Sequence, residues 1–314
     1  MDALTQLVQL ARPQASLDLR CRLAGAYAVP HAPAPAGIAP FHLVLAGHCH
    51  IEAEDGSMLV AQAGDFILFP RGGAHNIHNE GVRRNRASMR MEHDGMLPLR
   101  RAGKGEAEVD LLCGHFDYAY GPGELLFRNL PEALHVSLLD GVATESVPVL
   151  QAMVELMRHE SARQQPGALA IVTALSQALF VLALRRCTEA NPERAGILAL
   201  LSDKRLGASV QALLKAPGRP WTIEALGAVA SMSRASYARH FRETAGVTVW
   251  DFMTRIRMAI ACDLLRDTRR NVGDIAAAVG YQSEAAFGKA FRQMLGELPG
   301  RYRRQFRQTG AVSA

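Results

Sequence analysis

Ala230-Ser231-Met232-Ser233-Arg234-Ala235-Ser236-Tyr237-Ala238-Arg239-His240-Phe241-Arg242 returns 50 residues later as Gly280-Tyr281-Gln282-Ser283-Glu284-Ala285-Ala286-Phe287-Gly288-Lys289-Ala290-Phe291-Arg292. An aromatic, a basic residue, a Phe and an Arg recur in step, without a gap. Upstream, Ala225, Ala228 and Val229 answer to Ile275, Ala278 and Val279; downstream, Gly246 answers to Gly296. Self-similarity at a fixed period marks one supersecondary unit used twice. Each unit reads as a short apolar-periodic helix, a tight break and a second helix opened by a Ser N-cap. That is a helix-turn-helix, whose second helix can lie in a DNA major groove.

On a helix opened by Ser233, the residues Ala225, Leu226, Val229, Met232, Tyr237 and Phe241 form the buried faces. Arg234, Ala235, Ser236, Arg239 and Arg242 are left outward. Arg239, in mid-helix, can present its fork to a guanine edge. The second copy offers Glu284, Ala285, Ala286, Gly288 and Lys289, with Arg292 beyond; its small side chains allow close approach but weaker base readout. Ser233 and Ser283 have two readings, plain helix caps or phosphate ligands at a helix N-terminus. A helical run from about Val249 to Arg266 joins the units. At 1.5 Å per residue it spans roughly 25 Å, which permits two reading helices about one DNA turn apart.

Charge agrees with this placement. From Leu201 onward there are 18 Lys+Arg against 9 Asp+Glu, whereas the first 200 residues hold 17 against 21. A basic C-terminal third on a slightly acidic remainder is the footprint of a nucleic-acid module attached to a non-binding domain. The length of 314 residues suits two domains. Five scattered Cys without paired spacing fit a reducing compartment, and neither a basic-then-apolar leader nor a long uncharged apolar run is evident. A soluble cytoplasmic protein without membrane contact is the expectation.

The C-terminal pattern resembles the DNA-binding domain of AraC/XylS-type transcription regulators. The resemblance is carried by Trp221-Thr222-Ile223-Glu224-Ala225-Leu226, Met232-Ser233-Arg234, Arg257-Met258, Asp274-Ile275-Ala276, Gly280-Tyr281, Phe287, Phe291 and Pro299-Gly300-Arg301-Tyr302-Arg303. Leu298 departs from it, standing where the family usually has Ser or Thr before the Pro. The resemblance implies that Arg239 and Lys289 occupy the base-reading position. It also implies double-stranded DNA and RNA polymerase as partners, and a homodimer.

The N-terminal part carries short strand-like segments: Leu19–Cys21, Tyr27–Val29, Phe41–Leu45, Cys49–Glu52, Ser57–Val60, Asp65–Phe69 and Asn76–His78. Gly and Pro breaks separate them, as in a small barrel or sandwich. Gly64-x5-Pro70-x-Gly72-x2-His75-x3-Asn79 matches the second cupin motif, and the string Asp110–Phe116 with Leu130-Pro131 resembles the cupin-type sensor of a branch of AraC regulators. The first cupin motif keeps only His42, so a two-His-plus-carboxylate iron set is not evident. Residues 81–109 read as a long loop. Met1–Ala11 reads as a short helix, and two apolar helices follow at Glu145–Arg158 and Ala168–Arg186. Leu175, Leu179, Leu182 and Ala183 make a stripe that serves either as core or as a dimer seam. The expected fold is α+β with two domains: a cupin-like sensor at 1–140, a helical linker at 141–200, and a tandem helix-turn-helix domain at 201–314.

Cys21, His31, His42, His75 and Cys113 are the candidate sensing residues. Met1-Asp2-Ala3-Leu4 with Pro13, Cys21, Pro30-His31 and His42 is similar to the RclR-like, reactive-chlorine-responsive branch, which makes Cys21 the sensor thiol and Cys113 a possible second thiol. Three modes stay open: oxidation of Cys21, a small organic ligand, or a transition metal (Zn, Cu or Fe) on His42, His75 and Cys21 or His31. The expected function is that of a non-catalytic transcription regulator, an activator in the family's manner. A cupin metalloenzyme carrying a DNA module and an architectural DNA binder are the competing classes.

Overall fold

Asp2 opens the first helix, α1 (Ala3–Ala11), by accepting the Thr5 amide, and Arg12, in the left-handed region, closes it. The computed structural model describes residues 1–79, 88–93, 95–118, 122–138, 147–162, 165–190 and 196–309. Residues 81–87 and 94 of the expected loop, and 191–195 of an expected linker, lie outside the described set. The chain forms two compact units. One gathers Pro13–Asp117 and Leu130–Cys187; the other gathers Met1–Arg12, Tyr118–Asn129 and Thr188–Ala314. The architecture is α+β with two domains, but the units are discontinuous and do not follow divisions at 140 and 200.

The first unit is a curled sheet of strands β1 (Gln14–Leu23), β2 (Ala28–His31), β3 (Ile38–Ala53), β4 (Met58–Gln62), β5 (Asp65–Leu68), β6 (His75–His78), β7 (Met89–Glu92), β8 (Leu99–Ala102), β9 (Val109–Asp117) and, after helix α2 (Pro122–Phe127) of the other unit, β10 (Leu134–Ser137). One path runs β10-β5-β3-β9-β1-β8-β7, while β4 and β6 pair with the far half of β3 and β2 pairs with β6. β3 therefore serves both layers of the half-barrel.

Two expectations change here. Phe41–Leu45 and Cys49–Glu52 are one strand, because the chain absorbs a bulge between Val44 and Ala46 and continues through Gly47 at φ +76°. A Cβ at Gly47 would lie 1.9 Å from the Glu108 carbonyl oxygen, so only glycine lets β3 pass. Residues 81–109 are not simply a loop, since β7 and β8 form within them. β8 pairs parallel to β1 and β7 lies at the edge of the sheet, where Arg-rich segments need no apolar alternation.

Helices α3 (Val147–Ala162) and α4 (Ala168–Ala190) complete this part of the chain. Residues 168–188 of α4, with mean hydropathy 1.9, are long and apolar enough to cross a membrane by length and composition alone. That corrects the reading of the sequence as free of such a run. Val172, Ser176, Leu179, Phe180, Ala183 and Leu184 are buried, and the Phe180 ring packs 4.8 Å from Phe116. Leu179 and Ala183 thus belong to the chain's own core rather than to a seam, with Leu175 and Leu182 half-buried beside them.

The helical unit continues with α5 (Ile197–Ser202), α6 (Lys204–Lys215), α7 (Ile223–Val229), α8 (Arg234–Ala245), α9 (Val249–Asp267), α10 (Val272–Ala278), α11 (Glu284–Leu295) and α12 (Pro299–Thr309). Capping explains most of the boundaries. Thr222, Ser233, Thr248, Asn271 and Ser283 each accept an amide three residues on, and Gly246 and Gly296 close α8 and α11 at φ +71° and +77°. The repeat is not gapless. Met232 donates to Gly227 O and Tyr281 to Ala276 O, 49 positions apart, whereas the caps Ser233 and Ser283 stand 50 apart. The second turn holds one extra residue, Gln282. Leu226 and Ala230 consequently match Ile275 and Val279, and Val229 is 40% exposed instead of buried.

Candidate functional site

In the sensor unit, strand register assembles a pocket from two facing pairs. His42 lies opposite Cys113 on β3 and β9, and His31 lies opposite His75 on β2 and β6. Period-two alternation then points all four side chains to the same interior. His42 Nε2 is 2.7 Å from His75 Nε2, and His42 Nδ1 is 3.2 Å from Cys113 Sγ. The His31 ring stacks on His75 at 4.5 Å, and Phe69 covers the other face of His75 at 3.8 Å.

Burial pushes all three imidazoles toward the neutral form, His31 to about 4, His42 well below its ordinary value, and His75 in the same direction. Nδ1 of His75 donates to Gly73 O and Nδ1 of His31 to Val29 O, which leaves both Nε2 lone pairs facing inward. Two proton arrangements satisfy His42. In one, the Cys113 thiol donates to Nδ1 and His42 Nε2–H donates to His75. In the other, Nδ1–H donates to sulfur, and the His42 and His75 Nε2 lone pairs meet at 2.7 Å, a repulsion that only a shared cation would relieve.

Among the described residues, the group of three whose ligand atoms lie within 4.8 Å of one another is His31, His42 and His75. Three neutral imidazoles, each engaged through Nδ1, are a donor set that fits a first-row divalent ion. Cys21, expected as the third ligand, stands outside this group, and His31 takes its place. Cys21 instead is the diagonal neighbour of Cys113 across β1 and β9 and lies opposite Arg100 in the β1–β8 register. Interaction with the Cys113 thiol, aided by the Arg100 charge, pulls the Cys21 thiol down; that same interaction and burial push Cys113 well up. Cys21 is therefore the first of the pair to ionise. Burial pushes the third interior thiol, Cys49, up to about 12. Arg100 was missed in the sequence because nothing local marks it; only the parallel pairing of β8 brings it to the thiol.

In the helical unit, Arg234, Ala235, Arg239 and Arg242 of α8 are exposed and Ser236 half-exposed, as are Glu284, Ala285, Lys289 and Arg292 of α11. Arg234 Nε meets Glu224 at 2.9 Å. Ser233 and Ser283 act as caps, accepting from Ser236 N and Ala286 N. A recess of about 680 Å³ beside α8 is lined by Arg239, Arg242 and Trp250; one of about 1390 Å³ beside α11 is lined by Lys289, Arg292, Arg301 and Arg304. Each borders the second helix of a helix-turn-helix unit and the start of the helix that follows. The middle of α8 is fixed from outside the repeat: His240 Nε2 meets Asp203 at 2.6 Å and the Tyr237 hydroxyl meets Ser209 at 2.8 Å in the interior.

Residues 2–189 match the cupin family and residues 226–305 the helix-turn-helix domain family. The chain is 32% identical over 310 residues to the HTH-type transcriptional regulator MtrA of Neisseria gonorrhoeae, covering 97% of this chain and 99% of that one. It is 30% identical over 312 residues to the RCS-specific HTH-type transcriptional activator RclR of Escherichia coli K12, covering 98% and 99%. The solved DNA-binding domain of AdpA in complex with a target DNA aligns at 30% identity and TM-score 0.31, over 32% of this chain and 91% of that one. By the family matches and these full-length relatives, the chain belongs to the AraC-type transcription regulators in which a cupin domain precedes a helix-turn-helix DNA-binding domain.

Proposed function

We propose that this regulator reads one DNA duplex with α8 and α11 in consecutive major grooves, and that the state of the Cys21–Cys113 pair decides how well it does so. The observation that carries the sensing half is the strand register, which places these two buried thiols diagonally across β1 and β9, with Cys113 bonded to His42. A two-electron oxidant such as hypochlorous acid would take the Cys21 thiolate to a sulfenyl chloride with release of hydroxide. Cys113 sulfur then displaces chloride and loses its proton, leaving a disulfide; two electrons pass from the thiols to the oxidant. One relative is named as RCS-specific, which agrees with this chemistry.

The strands offer a route outward. β1, which carries Cys21, is preceded directly by α1; β9, which carries Cys113, is followed by α2. Both helices pack in the helical unit, where Arg12 pairs with Asp263 and Asp267 of α9 and Leu125 of α2 shares a small cavity with Met258 and Ala259 of α9. Cys21 and Cys113 are diagonal neighbours, since Cys21 faces Leu111 and Cys113 faces Leu19. Diagonal Cα atoms stand about 7–8 Å apart, beyond the usual disulfide span of about 4.4–6.8 Å, so bond formation draws β1 and β9 together. That displacement is the signal the adjoining helices pass to α9.

A second reading, favoured by the three inward Nε2 atoms, is a divalent transition metal on His31, His42 and His75. Such an ion would supply a fixed positive centre that holds β2, β3 and β6 together. A homodimer, RNA polymerase contact for activation and a cytoplasmic location belong to the same proposal; the expectation of a non-catalytic protein agrees with relatives that carry regulator names.

Two measurements test it. After hypochlorous acid, intact mass should show loss of two hydrogens in the wild type and none in Cys21→Ser, with a matching change in DNA affinity. Zinc stoichiometry that survives Cys21→Ser but not His75→Ala, with no thiol chemistry, would move the function to the metal. On the DNA side, Arg239→Ala should weaken specific binding by about 1–3 kcal/mol and relax one base position. Equal loss on specific and random duplexes would make Arg239 a phosphate contact instead.

A further inference from the structure

We propose that Arg257 is the positioning residue that fixes the two helix-turn-helix units at one separation, so that the protein accepts a single spacing between the two DNA segments it reads. This rests on the reading that α8 and α11 engage one duplex. Arg257 lies in the middle of α9, half-buried. Its Nε donates to Pro217 O at 3.0 Å and its Nη2 to Arg219 O at 3.0 Å. Those carbonyls belong to the loop that leads into α7, the first helix of the first unit. The same guanidinium also lies against the turn of the second unit, since a Cβ on Gly280 would stand 2.8 Å from its Nη2. Gly280 is the left-handed residue, φ +88°, that turns the chain out of α10 toward α11.

The loop and the turn also touch directly. A Cβ on Gly218 would meet Ala278 O at 2.5 Å, and a Cβ on Gly280 would meet Gly218 O at 3.2 Å. The loop is itself held rigid. Trp221 is buried, its indole N–H donates to Ala216 O at 2.9 Å, and the Arg219 guanidinium lies 4.3 Å over its ring. One charged side chain thus joins the entrance of the first reader to the turn of the second through three rigid parts. Both readers pack on α9, the first with the Phe241 ring 5.5 Å from Phe252 and the second in one core with Met258, Cys262 and Leu265, so each is held to its own part of that helix. The fork, with two carbonyls on one side and a glycine without a side chain on the other, adds a direct tie between the two readers.

Arg303 offers an instructive contrast. It bonds Leu265 O at 3.3 Å and Arg270 O at 2.6 Å, closing the loop before α10 onto the helix after α11. It ties the second unit to its own linker and touches neither the first unit's loop nor its turn in these bonds. Arg257 is the one of the two that reaches across.

The test uses the full-length protein. A preferred duplex is selected from a random pool with the wild type, and affinity is measured on it, on versions with roughly two base pairs added or removed between the contacted segments, about a fifth of a turn, and on a duplex carrying the first segment alone. The wild type should discriminate against altered spacing. Arg257→Gln should lose roughly tenfold to a hundredfold on the selected duplex, as coupling between two linked sites is lost. It should bind the altered spacings nearly as well and keep its affinity for the single segment. Arg257→Lys, which can supply one bond but not the fork, should fall between.

Gly218→Ala disturbs the same junction without touching the guanidinium and should relax spacing in the same way, so it decides the matter if Arg257→Gln melts early. Folded variants that keep the full spacing preference would overturn the inference, as would equal loss on the single segment. A wild type indifferent to spacing would overturn the two-groove reading and this inference with it.

Discussion

Arg20→Ala is expected to destabilise the protein by about 3–5 kcal/mol, the cost of leaving a buried carboxylate without its partner. Arg20 and Asp110 are 9% and 7% exposed and form a fork-to-carboxylate pair, Nε to Oδ1 at 2.8 Å and Nη2 to Oδ2 at 2.5 Å. They lie on β1 and β9, Arg20 next to Cys21 and Asp110 three residues before Cys113, and hold the register that makes those thiols neighbours. The informative comparison is Arg20→Met with Asp110→Leu, which removes both charges and should recover most of the loss. Urea unfolding of the two single variants and the double variant gives the coupling directly. A single-variant cost below about 1 kcal/mol would mean that water reaches the pair.

Phe291→Ala should cost about 3–5 kcal/mol by opening a cavity in the second reading unit. Phe291 is fully buried in α11, and the rings of Tyr281, Phe287, Phe291 and Tyr302 follow one another edge to face with centroids 5.6, 5.5 and 5.6 Å apart. In the first unit Tyr237 and Phe241 are tilted at 5.8 Å, and Phe241 meets Phe252 edge to face at 5.5 Å. The damage should be local: thermal unfolding gains an early phase, and DNA binding loses its second segment while the first is still recognised. A single transition at the wild-type temperature would show that the interior repacks around the missing ring.

Much of the helical unit was legible because its signals are local. Ser233 and Ser283 announce their helices by chemistry that involves only the next three amides, and Gly246 and Gly296 mark the ends by a conformation other residues avoid. The extra residue Gln282 was hidden because matching Phe287 and Phe291 to Tyr237 and Phe241 aligns the second helices, and Val229 happens to match Val279 when that register is carried upstream. Gly64, Pro70 and Gly72 announced the turn that leads from β5 to His75, although β5 and β6 each pair with β3 and not with each other. His31 and Arg100 were harder to place, since their neighbours are set by strand pairing: His31 meets His75 across β2 and β6, and Arg100 meets Cys21 across a parallel pair. No local pattern encodes a parallel partner some eighty residues away. The stripe on α4 was ambiguous for the same reason, because periodicity shows which face is apolar and not what covers it.

The packing of α1 and α2 in the helical unit bears on any attempt to express the C-terminal portion alone. A fragment begun near residue 201 would strip Leu125 from beside Met258 and Ala259, and Arg12 from Asp263 and Asp267. Such a fragment would carry a greasy seam down its connecting helix, with Asp263 and Asp267 left to Arg266. It should be prone to self-association, and co-expression with the missing N-terminal segment, rather than a longer C-terminus, is the way to cure it.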